Sequence, residues 1–304
     1  MKGLVLSGGK GSRLRPLTYT RAKQLVPVAN KPVLFYGIEA LAAAGVRDIG
    51  IVVGDTRNEI RAAVGDGSQW DVTVTYIEQD APSGLAHAVL ISEPFLGDEP
   101  FVMYLGDNLL KKGITPFVEE FKRAKPAAQI LLTRVPDPQM FGVAELADGK
   151  VLRLVEKPKE PKSDLALVGV YMFGPEIFES VKQITPSARN ELEITEAIQH
   201  LIDRGCVVRP HLVDGWWKDT GKLDDMLEAN RLILETFDRR VDGTVDAESR
   251  VEGKVVVEPG AQIVGSVVRG PVIIGANARV EQAYVGPFTS IMNDVEIRGS
   301  EIEH

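Results

Sequence analysis

Gly8-Gly9-Lys10-Gly11-Ser12-Arg13 is the stretch of this sequence whose residue types and spacing most plainly suit chemistry. Glycines let a backbone turn sharply and bring its N–H groups close to a ligand. From Met1 to Ile38 the chain carries Lys2, Lys10, Arg13, Arg15, Arg21, Lys23 and Lys31 and not one Asp or Glu, in a protein of formal net charge −8. A local excess of cations of this kind asks for an anion. Lys2 to Leu6 reads as a buried parallel strand, so the order is strand, glycine turn, basic side chains, which suits a phosphate. There is no G-x-x-x-x-G-K-[ST], which excludes a P-loop, and Gly9-Lys10-Gly11 lacks the third glycine of the dinucleotide fingerprint.

Further polar clusters recur along the chain. Glu78 to Ala88 is a polar loop punctuated by Pro82 and Gly84 that leads into a helix near Leu85. Pro100 to Leu105 is an apolar strand running into Gly106-Asp107-Asn108, where a carboxylate at a strand's carboxyl end would face a ligand crevice. Trp216-Trp217-Lys218-Asp219-Thr220-Gly221 supplies a second Asp. Gly142-Val143 opens a hairpin that turns at Asp148-Gly149 and whose second strand, Lys150 to Val155, ends in Glu156-Lys157. Glu156 can accept hydrogen bonds from hydroxyls, and Lys157 can meet a phosphate as a point charge. Taken singly, each cluster has a bland alternative as a turn, a cap or a solvated face.

The elements that must position these residues follow from periodicity. Val33 to Ala44 reads as a helix, Asp48 to Gly54 as a buried strand, Glu59 to Val64 as a helix turn and Val72 to Ile77 as a strand. Asp164 to Phe173 reads as another buried strand, and Arg189 to Thr195 as the opening of a helix reaching about Ile202 with acidic residues in its first turn. The alternation predicts a doubly wound α/β sheet with its site outside the carboxyl ends of the strands. Leu223 to Phe237 is amphipathic and reads as the helix that closes this domain.

Beyond Asp242-Gly243 the character changes. Val251, Val257 and Ile263 are six apart, as are Val268, Ile274 and Val280, and again Val285, Ile291 and Ile297; the blocks recur every 17 residues. This is the hexapeptide pattern of a parallel β-helix. The reading is therefore two domains, 1–240 and 245–304, the second incomplete where the sequence stops, so that the chain continues or subunits stack there. The acidic balance argues against nucleic-acid or membrane-surface binding, no apolar run reaches the length of a membrane span, and the single Cys206 excludes an internal disulfide. A cytoplasmic protein is expected.

The string G-G-x-G-[ST]-R-L-x-P-L-T, with Lys23, Pro27 and Lys31-Pro32 after it, resembles the nucleotidyltransferases that make nucleoside-diphosphate sugars, most closely the long-form glucose-1-phosphate thymidylyltransferases. The resemblance covers about residues 1–235 and extends into the repeats. It implies a Rossmann-like, mixed and mostly parallel sheet followed by a small left-handed β-helix, and a Mg2+-dependent in-line transfer from dTTP, or UTP, to glucose 1-phosphate. It implies catalytic roles for Arg13, Lys23, Asp107 and Asp219, the two aspartates holding Mg2+. Nucleotide binding falls to Leu6, Gly8, Gly9, Gly11, Ser12, Arg13, Gln24, Gln79, Pro82 and Gly84. Sugar-phosphate binding falls to Asp107, Gly142, Glu156, Lys157, Val168, Glu191 and Trp217, with Gly169 admitting the hexose and the stretch to Thr195 lining the pocket. A homo-oligomer is also implied. The competing readings are a uridylyltransferase or an enzyme for another sugar 1-phosphate, a non-catalytic nucleotide-sugar-binding regulatory subunit, and a β-helix acyltransferase. Against the last, no His lies between Asp242 and Glu303.

Overall fold

The structure is a computed structural model that describes residues 1–9 and 11–303; Lys10, one of the basic residues above, lies outside the described residues. The chain divides into two compact units, Met1–Leu25 with Val33–Asp219, and Val26–Pro32 with the chain from Thr220 onward.

The first unit is built on a nine-stranded mixed sheet. Lys2–Ser7 lies at its centre, with Asp48–Val53 and Phe101–Leu105 parallel on either side and Thr73–Glu78 parallel beyond Asp48–Val53. Successive residues of a strand face opposite sides, so Leu4 and Leu6 enter one apolar cluster and Val5 the other; both faces are buried. The chain leaves the central strand toward Asp48–Val53 and later returns to Phe101–Leu105 on the other flank, so the strand order reverses there. Such a reversal opens a crevice at the carboxyl ends of the strands. Gly8, Gln79 and Gly106 each follow directly from one of those ends.

The remaining flank is antiparallel except for Val208–Leu212, which runs parallel to Ala128–Arg134. Leu165–Phe173, buried throughout, pairs with Phe101–Leu105 and Ala128–Arg134, and its register with the latter breaks between Leu167 and Tyr171. Gly142–Ala147 and Lys150–Glu156 form the expected hairpin, with Asp148 and Gly149 both at positive φ. A short antiparallel ladder pairs Asn108–Leu110 with Trp217–Asp219 and sets Asp219 opposite Asn108.

One expected element differs. Arg189 to Glu193 is not helical: Glu193 is extended (φ −83°, ψ 132°) and the helix runs Ile194–Asp203, with Glu196 the acidic residue of its first turn. Backbone pairing explains this, since Leu192 N–H donates to Ser83 O at 2.8 Å and Leu192 O accepts from Ala86 N–H at 3.0 Å. Those bonds hold the segment in an extended form that a helix would break.

In the second unit, three parallel four-stranded sheets stack coil upon coil, a parallel β-helix. Val255 pairs with Val272 and Val272 with Thr289; Gln262 pairs with Arg279 and Arg279 with Glu296. Val257, Ile263, Val268, Ile274, Val280 and Val285 fill its core as the repeat requires. The corners need left-handed backbone, supplied by Gly260, Asn277 and Asp294 on one edge and Gly265, Gln282 and Gly299 on another. The helix Leu223–Leu234 belongs to this unit, where Leu234 is buried with Val256 and Ile273. A hairpin of Pro27–Val28 and Lys31–Pro32, turning through Ala29 and Asn30 at positive φ, is tied to the same helix by Ala29 N–H donating to Asn230 Oδ1 at 2.9 Å. Among the described residues no helix is long and apolar enough to cross a membrane.

Candidate active site

The glycine loop stands against two glutamines. A Cβ at Gly8 would lie 3.2 Å from Gln79 Oε1, and one at Gly9 would lie 3.6 Å from Gln24 Nε2. Gln24 is buried, and its Oε1 has no hydrogen-bond partner among the described residues. Gly11 has φ 62°, and a Cβ there would meet Lys23 Cβ at 2.8 Å, so only glycine lets the loop cross the lysine stem. Thr18 Oγ1–H closes the loop by donating to Gly11 O at 2.6 Å. Ser12 and Arg13 open a short turn, both exposed, and Arg13 has no carboxylate partner among the described residues. Leu6 is buried beneath the loop and Pro82 is exposed in the loop after Gln79.

Lys23 is buried, and its ammonium donates to the Asp107 carboxylate. Burial alone would push the Asp107 carboxyl upward; the Lys23 ammonium and the Asn108 amide outweigh it and hold the group below the usual carboxylate range. Asn108 is the junction of the site. Its Nδ2–H donates to Asp107 Oδ1 at 2.9 Å, its Oδ1 accepts Trp217 Nε1–H at 2.6 Å, and its carbonyl accepts the hydroxyl of buried Tyr104 at 3.2 Å. A Cβ at Gly169 would lie 2.7 Å from Asn108 Oδ1, so the register break in Leu165–Phe173 makes room for this side chain. Asp219 stands opposite Asn108 in the small ladder, and Asp107, the other aspartate named for a metal, is the residue just before that strand. No group of three or more His, Cys, Asp or Glu gathers among the described residues. Two hard carboxylates nonetheless fit Mg2+, which completes its shell with water and phosphate oxygens.

The sugar-side residues form a second cluster. Glu156 Oε2 accepts from Thr195 Oγ1–H at 3.3 Å and Glu156 Oε1 from Arg189 at 3.0 Å, with Lys157 Nζ 3.7 Å away. Burial raises the Glu156 carboxyl above its ordinary value; Lys157 opposes that and Glu193 reinforces it. A Cβ at Gly142 would lie 2.7 Å from both Thr195 Cγ2 and Leu167 Cδ1. Lys157 N–H donates to Phe141 O at 3.0 Å, and the Phe141 ring meets Trp217 edge to face at 5.4 Å, which links this cluster to Asn108. Glu191 reaches Arg189 at 3.5 Å. Val168 is wholly buried in the core, so it can offer a ligand backbone only. Gly84 is explained by packing: φ is 103° and a Cβ would lie 2.4 Å from Leu192 O. Asn108, Arg189 and His87 were not singled out by the sequence reading. The first two stood beside chosen residues in G-D-N and R-N-E, and only the folded contacts give them weight.

A glycine loop at a strand-order reversal, with the Lys23–Asp107 pair beside it, is the place where open α/β sheets bind nucleotides. Residues 2–236 match the nucleotidyl transferase family model, and the chain belongs to that family and is an enzyme. Its relatives include the glucose-1-phosphate thymidylyltransferases of Streptomyces griseus, 60% identical over 304 residues, and of Streptomyces antibioticus, 58% identical over 305; each match spans 100% of this chain and 86% of the relative. The low-salt glycan biosynthesis nucleotidyltransferase of Haloferax volcanii is 50% identical over the same shares. Among solved structures, a Bacillus anthracis protein described as a glucose-1-phosphate thymidylyltransferase, in complex with a sucrose, superposes with TM-score 0.72 at 39% identity, covering 76% of this chain and 94% of its own. A UDP-glucose pyrophosphorylase complexed with UDP-glucose superposes with TM-score 0.68 at 25% identity, covering 77% and 98%.

Proposed function

We propose that the enzyme transfers a thymidylyl group from dTTP to glucose 1-phosphate, giving dTDP-glucose and pyrophosphate. The observation that carries the reading is the convergence of Lys23, Asp107 and, through the Asn108 ladder, Asp219 beside the glycine loop. A phosphate oxygen of the sugar phosphate attacks the nucleotide α-phosphorus in line; that P–O bond forms as the bond to pyrophosphate breaks. Two anions must meet, so alignment and charge neutralisation are the catalytic work, with no covalent enzyme intermediate.

Each residue then has a task. Glycine-loop N–H groups hold the triphosphate, and exposed Arg13 meets the charge that builds on the transferring and leaving phosphates. Gln24 and Gln79 face the base. Lys23 and Lys157 align the attacking phosphate with the α-phosphate, Arg189 adds a third cation beside Lys157, and Glu156 accepts from sugar hydroxyls. Asp107 and Asp219 would hold Mg2+, which supplies neutralisation of the triphosphate oxygens. We assign the chemistry to the domain of about residues 1–240 and an assembling or structural role to residues 245–304. The proposal includes a cytoplasmic setting, where both substrates belong, and a homo-oligomer, which light scattering tests.

Pyrophosphate release with glucose 1-phosphate and Mg2+ should be compared across dTTP, UTP, ATP, GTP and CTP. Preference for dTTP is expected. Equal or better use of UTP would rename the donor and leave the mechanism standing, and inactivity with every donor and several sugar phosphates would overturn the proposal.

A further inference from the structure

His87 stands on the helix Leu85–Ile91, and its ring Nδ1 lies 2.9 Å from Gln79 Nε2. An amide nitrogen can only donate, so Nδ1 accepts and the ring proton is on Nε2. The same Gln79 nitrogen also points at Gly84 O, 3.5 Å away. With Nε2 turned toward these two acceptors, Oε1 is the atom left facing the glycine loop, where it lies 3.2 Å from the place a Gly8 Cβ would take.

The holder itself is fixed. Leu192 accepts from Ala86 N–H and donates to Ser83 O, and it leaves no room for any side chain at Gly84. The start of the His87 helix is thereby clamped on both sides, which fixes the backbone that carries the imidazole. A glutamine free to rotate would offer a base either its oxygen or its nitrogen; this one offers its oxygen.

We propose that His87 is a positioning residue for nucleotide selection, holding the Gln79 amide so that its oxygen accepts from a ring N–H of the base. Thymine and uracil both carry that donor at N3, whereas cytosine has an unprotonated nitrogen acceptor there, so the amide oxygen and the ring nitrogen would face each other lone pair to lone pair. The inference rests on the assignment of Gln79 to the base. It gives His87 a part in rejecting cytosine and none in choosing between thymine and uracil.

The test measures dissociation constants of dTTP, UTP and dCTP by calorimetry, with Mg2+ and without sugar phosphate, for the full chain and three variants. His87→Ala should weaken dTTP and UTP alike, by about five- to tenfold, a typical result of losing one hydrogen bond. It should weaken dCTP less, so that the dTTP to dCTP preference shrinks. His87→Asn, whose Oδ1 can accept in place of Nδ1, should restore the preference. If Gln79→Ala lowers the preference and His87→Ala does not, the base contact stands and the role of His87 is overturned. If Gln79→Ala leaves the preference unchanged, the base assignment itself fails and takes the inference with it. A loss in His87→Ala that His87→Asn does not repair assigns the effect to ring packing and also overturns the proposal.

Discussion

Trp217 Nε1–H donates to Asn108 Oδ1 at 2.6 Å, joining two stretches 109 residues apart in sequence. The same Asn108 side chain donates to Asp107, so one amide fixes both an aromatic wall and a carboxylate. Asn108→Leu should leave the indole N–H and the Asp107 carboxylate each short of a partner. We expect a stability loss of about 1–3 kcal/mol by denaturant unfolding, a lower kcat and altered tryptophan fluorescence. An unchanged fluorescence spectrum with normal turnover would remove Asn108 from the site.

Lys23→Met strands Asp107, because burial of that carboxyl is no longer outweighed by the ammonium. Stability at pH 7 should fall by about 1–3 kcal/mol, and the double variant Lys23→Met with Asp107→Asn should recover part of it while staying inactive. Simple additivity of the two single effects would mean that the pair is uncoupled.

Arg13 is exposed, so its removal should spare the fold. Arg13→Ala is expected to lower kcat by about 10²–10³-fold, the scale of losing one preorganised donor to developing charge, with an unchanged melting temperature. Near-normal turnover would exclude it from the chemistry.

Asp219→Asn should raise the Mg2+ concentration needed for half-maximal rate and weaken Mn2+ binding followed by electron paramagnetic resonance, since the donor set loses one of two carboxylates. Unaltered Mn2+ affinity in Asp219→Asn combined with Asp107→Asn would place the metal elsewhere.

Glu156 gives a pH signature. Its carboxyl is raised, first by burial, so its favourable contribution to the fold is fully present below the unfolded value of ~4.3 and is lost as pH rises through the folded value. Glu156→Gln should therefore gain stability over the parent as pH rises above ~4.3. The ionised form is the one that accepts from hydroxyls, so kcat/KM for the sugar phosphate should fall as pH drops through a value above ~4.3. That limb should be absent in Glu156→Gln, while the phosphate's own ionisation, near ~6, remains in both profiles.

Much of this fold was legible because its signals are local. The strand at Lys2, the helix at Val33, the hairpin turning at Asp148-Gly149 and the six-residue spacing from Val251 each announce themselves within a short window. What escaped depends on distant partners. Nothing near Arg189 reveals that Leu192 will pair with the Ser83 loop and hold the segment out of a helix. The strand Ala128–Arg134, which joins Leu165–Phe173 to Val208–Leu212, and the helix Thr115–Ala124 before it have no place in the sequence reading. Of the site, the charged residues could be chosen by type. The organising roles of Asn108, Gly169 and His87 could not, because a small side chain, a missing one and a ring nitrogen gain meaning only from neighbours.

The corners of the β-helix carry a consequence for length. Left-handed positions recur at Gly260, Asn277 and Asp294 and at Gly265, Gln282 and Gly299, always one full coil apart. A single-residue insertion there would move every following corner onto a residue chosen for a straight side and expose the aliphatic ladder. Insertion of a whole 17-residue coil would preserve each corner and add about 4.8 Å to the stack. This part of the chain can therefore be lengthened or shortened only in quanta, and a designer could use it as a ruler with evenly spaced marks.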